Sequence, residues 1–118
     1  MAFLLVAIAG VLGVLARYVI TRWAADEEAL LWATAAINVG GSFALGLLVS
    51  GGWFSRDVRD AAGAGFLGGF TTFSTFSVQA VLEADGGRPG RAALYVAVSV
   101  LGGIAAAAAG YALGRAVR

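Results

Sequence analysis

The sequence predicts an all-α membrane protein with four transmembrane helices, of which the third is broken near the middle of the membrane. The first observation is the composition: 60% of the 118 residues are hydrophobic and 13% are charged, against about 25% charged residues in a typical soluble domain. The second is the spacing of the charges, which leaves apolar runs of about twenty residues, enough to cross a hydrocarbon core. The third is a row of hydroxyl side chains inside one of those runs.

The chain is predicted to form a single transmembrane domain over residues 1–118. Its four spans are predicted at about residues 2–20, 31–50, 61–82 and 92–113. Arginines and a tryptophan end the first span, as expected of snorkelling side chains and an aromatic belt at the membrane surface. The connections are predicted to be an acidic loop at residues 26–28, a polar loop at residues 56–60 and a turn rich in glycine at residues 83–91.

The third span contains the stretch that predicts the functional site, G-F-L-G-G-F-T-T-F-S-T-F-S at residues 65–77. Its glycine pair weakens a helix and lets another group approach the backbone closely. Hydroxyl groups at membrane depth should face protein, water or an ion rather than lipid. We therefore predict that the helix breaks between Gly68 and Phe73, and that this break is the working site.

Few other polar side chains lie at membrane depth. Asn38, in the middle of the second span, either forms an interhelical hydrogen bond or lines a pore. Tyr95 and Ser99 lie one turn apart in the fourth span and share a face; their structural interpretation is an interface tyrosine and a serine bonded to its own helix. Phe73 and Phe76 share a helical face and either pack against their surroundings or present positive ring edges to a small anion.

The distribution of arginines bears on how the chain inserts and assembles. Four short-looped spans place both termini on one side of the membrane, and four arginines then fall on each side. Either this balance is chance in a small sample, or copies insert in both orientations and pair antiparallel. Small residues are dense on the second and fourth spans, which lets membrane helices approach closely. We therefore expect an obligate oligomer, most simply a homodimer with its site at the interface.

Several classes of protein are disfavoured by what the sequence lacks. Without cysteine or histidine, the chain has no disulfide, no thiolate metal site and no near-neutral proton carrier. No carboxylate lies in the central part of any span, which argues against a proton-coupled pump. We find no phosphate-binding loop and no nucleophile–base pair of the kind that indicates an enzyme. A net charge of +1 gives no reason to expect a nucleic-acid partner.

Three stretches of the sequence together resemble the Fluc/CrcB fluoride channel family. They are G-V-L-G-V-L-A-R-Y at residues 10–18, N-V-G-G-S-F-A-L-G at residues 38–46 and G-F-L-G-G-F-T-T-F-S-T-F-S at residues 65–77. The resemblance covers essentially the whole chain, and T-T-F-S-T-F is its most specific part. The four predicted spans and the balanced arginines also fit this family.

The resemblance implies a dual-topology antiparallel homodimer in the bacterial cell (inner or plasma) membrane that passively exports fluoride from the cytoplasm and lowers its toxicity. It implies two fluoride pathways per dimer and a structural sodium ion at the dimer interface, held by the backbone carbonyls of Gly68 and Thr71. Arg17 is expected to attract anions to the vestibule. The residues expected along the fluoride pathway are Asn38, Thr72, Phe73, Phe76, Tyr95 and Ser99.

The chain departs from the family pattern at two positions, and two other classes of protein remain as alternatives. Gly103 stands where a hydroxyl is often found, and Gln79 stands where a carboxylate is often found. A small dual-topology multidrug exporter would need a membrane-embedded carboxylate, which the first span lacks. A non-conducting membrane scaffold subunit would not need hydroxyl donors clustered at a broken helix.

Overall fold

The computed structural model describes residues 1–118 and consists of helices and their connections. In chain order these are α1 (Ala2–Arg22), α2 (Glu27–Gly51), α3 (Arg56–Asp60), a π-helix (Ala61–Leu67), α4 (Gly68–Phe70), α5 (Phe73–Asp85) and α6 (Pro89–Val117). Helices α2 and α6 form the main packed pair, and α1 packs against the π-helix and α4. The predicted all-α class is confirmed.

Three helices, α1, α2 and α6, are long and apolar enough to cross a membrane. Most of the apolar side chains of α1 and α6 are exposed on the single chain, which is typical of helices that face lipid or another protein chain. The region of the third predicted span is divided among the π-helix, α4 and α5. The longest of these, α5, has 13 residues, short of the roughly 20 that a membrane helix needs. The fourth crossing therefore stays a prediction.

Helices α2 and α6 start earlier than the sequence indicates, and the polar loop predicted at residues 56–60 is wrong because this stretch is helix α3. The acidic loop predicted after α1 is wrong: the Asp26 carboxylate caps α2 by accepting the Ala29 amide at 2.7 Å, and Glu27 and Glu28 form the first helical turn. Carboxylates are favoured there by the positive end of the helix dipole. Pro89 similarly opens α6, at a position where a missing N–H leaves no helical hydrogen bond unmade.

Glycines bring α2 and α6 into backbone contact. A Cβ added at Gly46 would overlap the Ala107 carbonyl, and one added at Gly110 would overlap the Phe43 carbonyl. Close approach of this kind supplies the van der Waals contact that holds membrane helices together. The small residues of these spans thus pack helices within one chain, so their density alone does not argue for an oligomer.

Glycines also bring α1 against the segment that carries the break. A Cβ at Gly13 would overlap the Phe66 carbonyl, and one at Gly69 would lie against the Gly10 carbonyl. The second glycine of the Gly-Gly pair is therefore required by a close helix contact. This contact fixes α4 against α1 immediately before the chain changes conformation.

The helical path is interrupted at Thr71 and Thr72. Their backbones are extended, with φ and ψ of −86° and 158° at Thr71 and of −152° and 119° at Thr72. The predicted break is thus present but narrower than expected, because Gly68–Phe70 keep helical backbone as α4. The seven-residue π-helix that precedes α4 is itself a rare form that is frequent near functional sites.

Candidate functional site

Asn38 joins α2 to the break through two hydrogen bonds. Its Nδ2 donates to the Thr72 carbonyl at 2.9 Å, and the Thr72 amide donates to its Oδ1 at 2.8 Å. A single side-chain amide therefore satisfies both polar backbone groups of an extended residue. The interhelical hydrogen bond considered for Asn38 is confirmed, and the same side chain also lines the groove described below.

The break removes the helical donors of several backbone carbonyls, and those of Gly68 and Thr71 are among the ones that gain no replacement. In a continuous helix the Thr72 amide would donate to the Gly68 carbonyl, and the Thr75 amide to the Thr71 carbonyl. Here the Thr72 amide donates to Asn38, and the Thr75 amide donates at 3.3 Å to the Thr72 hydroxyl, which caps α5. The carbonyls of Gly68 and Thr71 are thus available to another partner.

Arg17 lies at the break and inside α1, which continues to Arg22. Nε of the half-buried Arg17 donates to the Gly69 carbonyl at 3.3 Å. In a continuous helix that carbonyl would accept from the Phe73 amide. The guanidinium therefore replaces a lost helical donor. Arg17 does not line the groove beside Asn38, and its expected role toward anions stays a prediction.

An open groove of about 290 Å³ lies beside the break, with walls from α2, the break, α5 and α6. Its lining residues are Asn38, Thr71, Thr72, Phe73, Phe76, Ser99, Val100, Gly103 and Ile104. The groove brings together all the predicted pathway residues except Tyr95. None of the lining side chains is charged, so a ligand there would meet amide, hydroxyl, aromatic and aliphatic groups.

The two phenylalanines lie side by side, as their spacing predicts, with ring centroids 5.8 Å apart. Phe76 is 8% exposed and contacts the fully buried Tyr95, with ring centroids 5.2 Å apart. Phe73 is 78% exposed. The ring of Phe73 thus forms an open edge of the groove on the single chain.

Ser99 presents a buried hydroxyl that has no hydrogen-bond partner. The structural interpretation of a serine bonded to its own helix is therefore wrong. A buried polar group left unpaired costs about 1–3 kcal/mol, which a ligand in the groove would recover. Gly103, one turn later on α6, lines the same groove and adds no hydroxyl to it.

Tyr95 is not an interface residue, because it is fully buried and donates its hydroxyl to Oε1 of Gln79 at 2.7 Å. This bond occupies the Gln79 carbonyl oxygen and leaves the two amide N–H donors for another partner. Sequence reasoning missed Thr34, which is also buried and donates its hydroxyl to the Leu30 carbonyl at 3.0 Å. The available signal was its position one turn before Asn38, which places both on one face of α2.

A network of ion pairs closes the end of the bundle at the turn between α5 and α6. Glu83 is buried there, and its carboxylate accepts from Nε of Arg91 at 2.6 Å and from Nε of Arg88 at 3.0 Å. The hydrogen bond from Arg91, followed by that from Arg88, lowers the pKa of Glu83 to about 2. The sequence indicates only a charged turn here, because the burial of Glu83 depends on the packing of α5 against α6.

The fold and the groove define a class of membrane protein in which a broken helix, held open by one amide side chain, places uncharged donors and aromatic rings along a groove. The family model described as CrcB-like protein, Camphor Resistance (CrcB), matches residues 4–111 of the chain. The chain therefore belongs to the CrcB family, as the sequence motifs indicate.

Relatives from several bacteria match almost the whole chain. A protein of Moorella thermoacetica named fluoride-specific ion channel FluC 2 is 39% identical over 108 residues, which cover 88% of each chain. A fluoride-specific ion channel FluC of Agrobacterium fabrum is 41% identical over 119 residues, which cover 94% of each chain. One of Thermus thermophilus is 39% identical over 120 residues, covering 98% of this chain and 94% of its own.

Proposed function

We propose that this protein is a fluoride-selective ion channel, and not an enzyme, through which fluoride leaves the cytoplasm passively and so becomes less toxic. The names of the relatives support this function. The observation that carries it is the uncharged groove in which the unpartnered Ser99 hydroxyl lies with the Asn38 amide and two phenylalanine rings. These groups are hydrogen-bond donors and positive ring edges, which suit an anion.

The chemistry of the groove fits a small anion that must both bind and leave. Fluoride is strongly hydrated, so several donors must replace its water shell. Hydroxyl groups and ring edges offer partial positive charge, whereas a full charge would hold the ion too tightly for release. Passive movement is supported by the absence of histidine and of carboxylates in the middle of any span. The multidrug exporter alternative has no supporting observation, because α1 contains no carboxylate.

We also propose that two copies pair antiparallel, with dual topology, and that each dimer holds two fluoride pathways. The 78% exposure of Phe73 beside an open groove supports a second copy that completes the wall. The even division of arginines between the two ends of the bundle supports insertion in both orientations. In this arrangement α3, the π-helix, α4 and α5 together form the third of four crossings of the bacterial cell (inner or plasma) membrane.

A structural sodium ion at the dimer interface is part of the same proposal. Its ligands would be the carbonyls of Gly68 and Thr71, which have lost their helical donors. Carbonyl oxygens are ligands that hard cations prefer, and broken membrane helices supply them in this way. Replacing Na⁺ by an organic cation should lower the thermal unfolding temperature of the dimer, and an unchanged temperature would count against the ion.

Fluoride efflux from liposomes tests the function, with a potassium gradient and valinomycin to carry the compensating charge. We expect rapid loss of fluoride while chloride is retained. Phe76→Ile should slow efflux about fivefold, because a ring-edge contact is worth on the order of 1 kcal/mol. The matched control is Phe66→Ile, since Phe66 stacks on Phe70 outside the groove. No fluoride loss from folded protein would contradict the channel.

A further inference from the structure

A second cavity of about 300 Å³ lies where α2 starts and where α5 turns into α6. Its lining residues are Glu27, Leu30, Leu31, Gln79, Leu82, Glu83 and Arg88. It shares no residue with the groove beside the break. Three leucines and four polar or charged side chains therefore line it.

This second cavity is linked to the groove through the side chain of Tyr95. Gln79 lines the cavity and accepts the hydrogen bond from Tyr95, and Tyr95 contacts Phe76, which lines the groove. Because Tyr95 occupies its carbonyl oxygen, Gln79 has amide N–H donors to offer inside the cavity. An anion that passes Phe76 would therefore find its next neutral donor at Gln79, one turn further along α5.

The charges at the rim differ in how firmly they are paired. Arg91 holds Glu83 with contacts of 2.6 and 3.1 Å and also pairs with Glu28 at 3.1 Å. Arg88 shares Glu83, but its pairing with Glu27 is long, at 4.0 Å, and both of those side chains are well exposed. Exposed pairs of this kind contribute little energy and exchange readily. The contact between Arg88 and Glu27 is therefore the one at this rim that an anion can replace, while Arg88 keeps its 3.0 Å bond to Glu83.

We propose that the second cavity is the aqueous mouth of the fluoride pathway, that Arg88 draws the anion into it, and that Glu27 opposes this attraction. The inference rests on the proposed channel function and adds a residue that raises the local concentration of fluoride at the Gln79 amide. A single charge beside a narrow mouth acts on the rate of access through its electrostatic field. It need not contact the ion at the narrow part of the pathway.

The expected effects follow from the interaction energy between one screened unit charge and a fluoride ion. A unit charge several ångströms from an anion in watery surroundings changes its local concentration about two- to fivefold. The Debye length falls from about 10 Å at 0.1 M salt to about 3 Å at 1 M. Arg88→Gln should therefore slow fluoride efflux about two- to fivefold at low ionic strength and by much less at 1 M. Glu27→Gln should accelerate efflux by a similar factor at low ionic strength.

The experiment measures initial fluoride efflux from liposomes at low fluoride, in 0.1 M and 1 M of an impermeant organic salt. Arg88→Lys keeps the charge and should restore most of the rate if the charge matters. Glu28→Gln removes the neighbouring carboxylate, which does not line the cavity, and should change the rate less than Glu27→Gln does. Arg22→Gln removes an exposed arginine from the same end of the bundle and is the second control.

The outcomes separate this proposal from the channel function itself. The proposal that this cavity is the mouth of the pathway is supported if Arg88→Gln lowers the efflux rate in a salt-sensitive way, Arg88→Lys restores the rate, and Glu27→Gln raises it. An unchanged rate in Arg88→Gln, or a loss that is equal at both salt concentrations with no effect of Glu27→Gln, overturns it and leaves the channel standing. If the unmodified protein does not conduct fluoride, both proposals fail together.

Discussion

Replacing Asn38 by leucine is the most informative single change, because it removes both hydrogen bonds that hold the broken helix. The Thr72 carbonyl loses its donor and the Thr72 amide loses its acceptor. Two interhelical hydrogen bonds at about 0.6 kcal/mol each give a lower estimate near 1 kcal/mol. Two buried groups left unpaired would cost about 2–6 kcal/mol. Since Asn38 and Thr72 are only half-buried, we expect Asn38→Leu to lower the free energy of unfolding by about 1–3 kcal/mol.

The assay combines denaturant unfolding in detergent with fluoride efflux from liposomes. Asn38→Leu should unfold more easily and conduct at least tenfold less, because α5 and its phenylalanines lose their fixed position relative to α2. The matched control is Ser42→Ala, which removes a hydroxyl one turn away that donates only to the Asn38 backbone carbonyl at 2.7 Å. That control should change stability by less than about 0.5 kcal/mol and leave efflux intact.

Asn38→Asp separates the role of this side chain in holding the break from its role toward the anion. An ionised aspartate can still accept the Thr72 amide, but its second oxygen replaces the N–H donor of Asn38 and faces the Thr72 carbonyl. It also places a negative charge in the groove, which repels an anion by about 1–4 kcal/mol at 4 Å, depending on the effective dielectric constant. Efflux should then be nearly abolished in Asn38→Asp protein that is still folded. Normal conduction in Asn38→Asp would refute the reasoning that the groove conducts an anion past this residue.

The remaining predictions concern the unpartnered Ser99 hydroxyl, the ion pairs of Glu83 and the contacts between α2 and α6. Ser99→Ala should reduce fluoride efflux several-fold without loss of stability, because the hydroxyl has no partner to lose; an unchanged efflux would remove it from the pathway. The pKa of Glu83 lies near 2, below its ordinary 4.5, so its ion pairs stabilise the fold fully above pH 4.5 and are lost as the pH falls toward 2. The thermal unfolding temperature should therefore fall over that pH range by more than it does in Glu83→Gln. Equal pH dependence of the unfolding temperature in the two proteins would contradict the pairing. Gly110→Ala should destabilise by about 1–3 kcal/mol through overlap with the Phe43 carbonyl, whereas Gly40→Ala meets open space and should be neutral.

Much of the fold and of the groove could be predicted because the sequence contains local signals. The spacing of charges predicts the long helices to within a few residues of their ends. The Gly-Gly pair followed by hydroxyl residues predicts a break that lies within Gly68–Phe73. Side chains at helical spacing, such as Phe73 and Phe76, could be placed on one face without knowledge of the tertiary contacts.

Other features depend on contacts between distant segments and carry no local signal. The pairing of Asn38 with both backbone groups of Thr72 joins residues 34 positions apart. The burial of Glu83 arises from the packing of α5 on α6, which turns an apparent surface turn into an ion-pair network. The density of glycine predicts close contact, but only the structure assigns Gly46 and Gly110 to contacts within one chain.

The most direct test of the channel is the reversal potential of the purified protein in a planar bilayer, with fluoride on one side and chloride on the other. A passive fluoride-selective channel predicts a reversal potential that follows the fluoride gradient and does not move when the chloride concentration is changed. A reversal potential set by chloride, or the absence of current from protein that is folded and incorporated, would contradict the account.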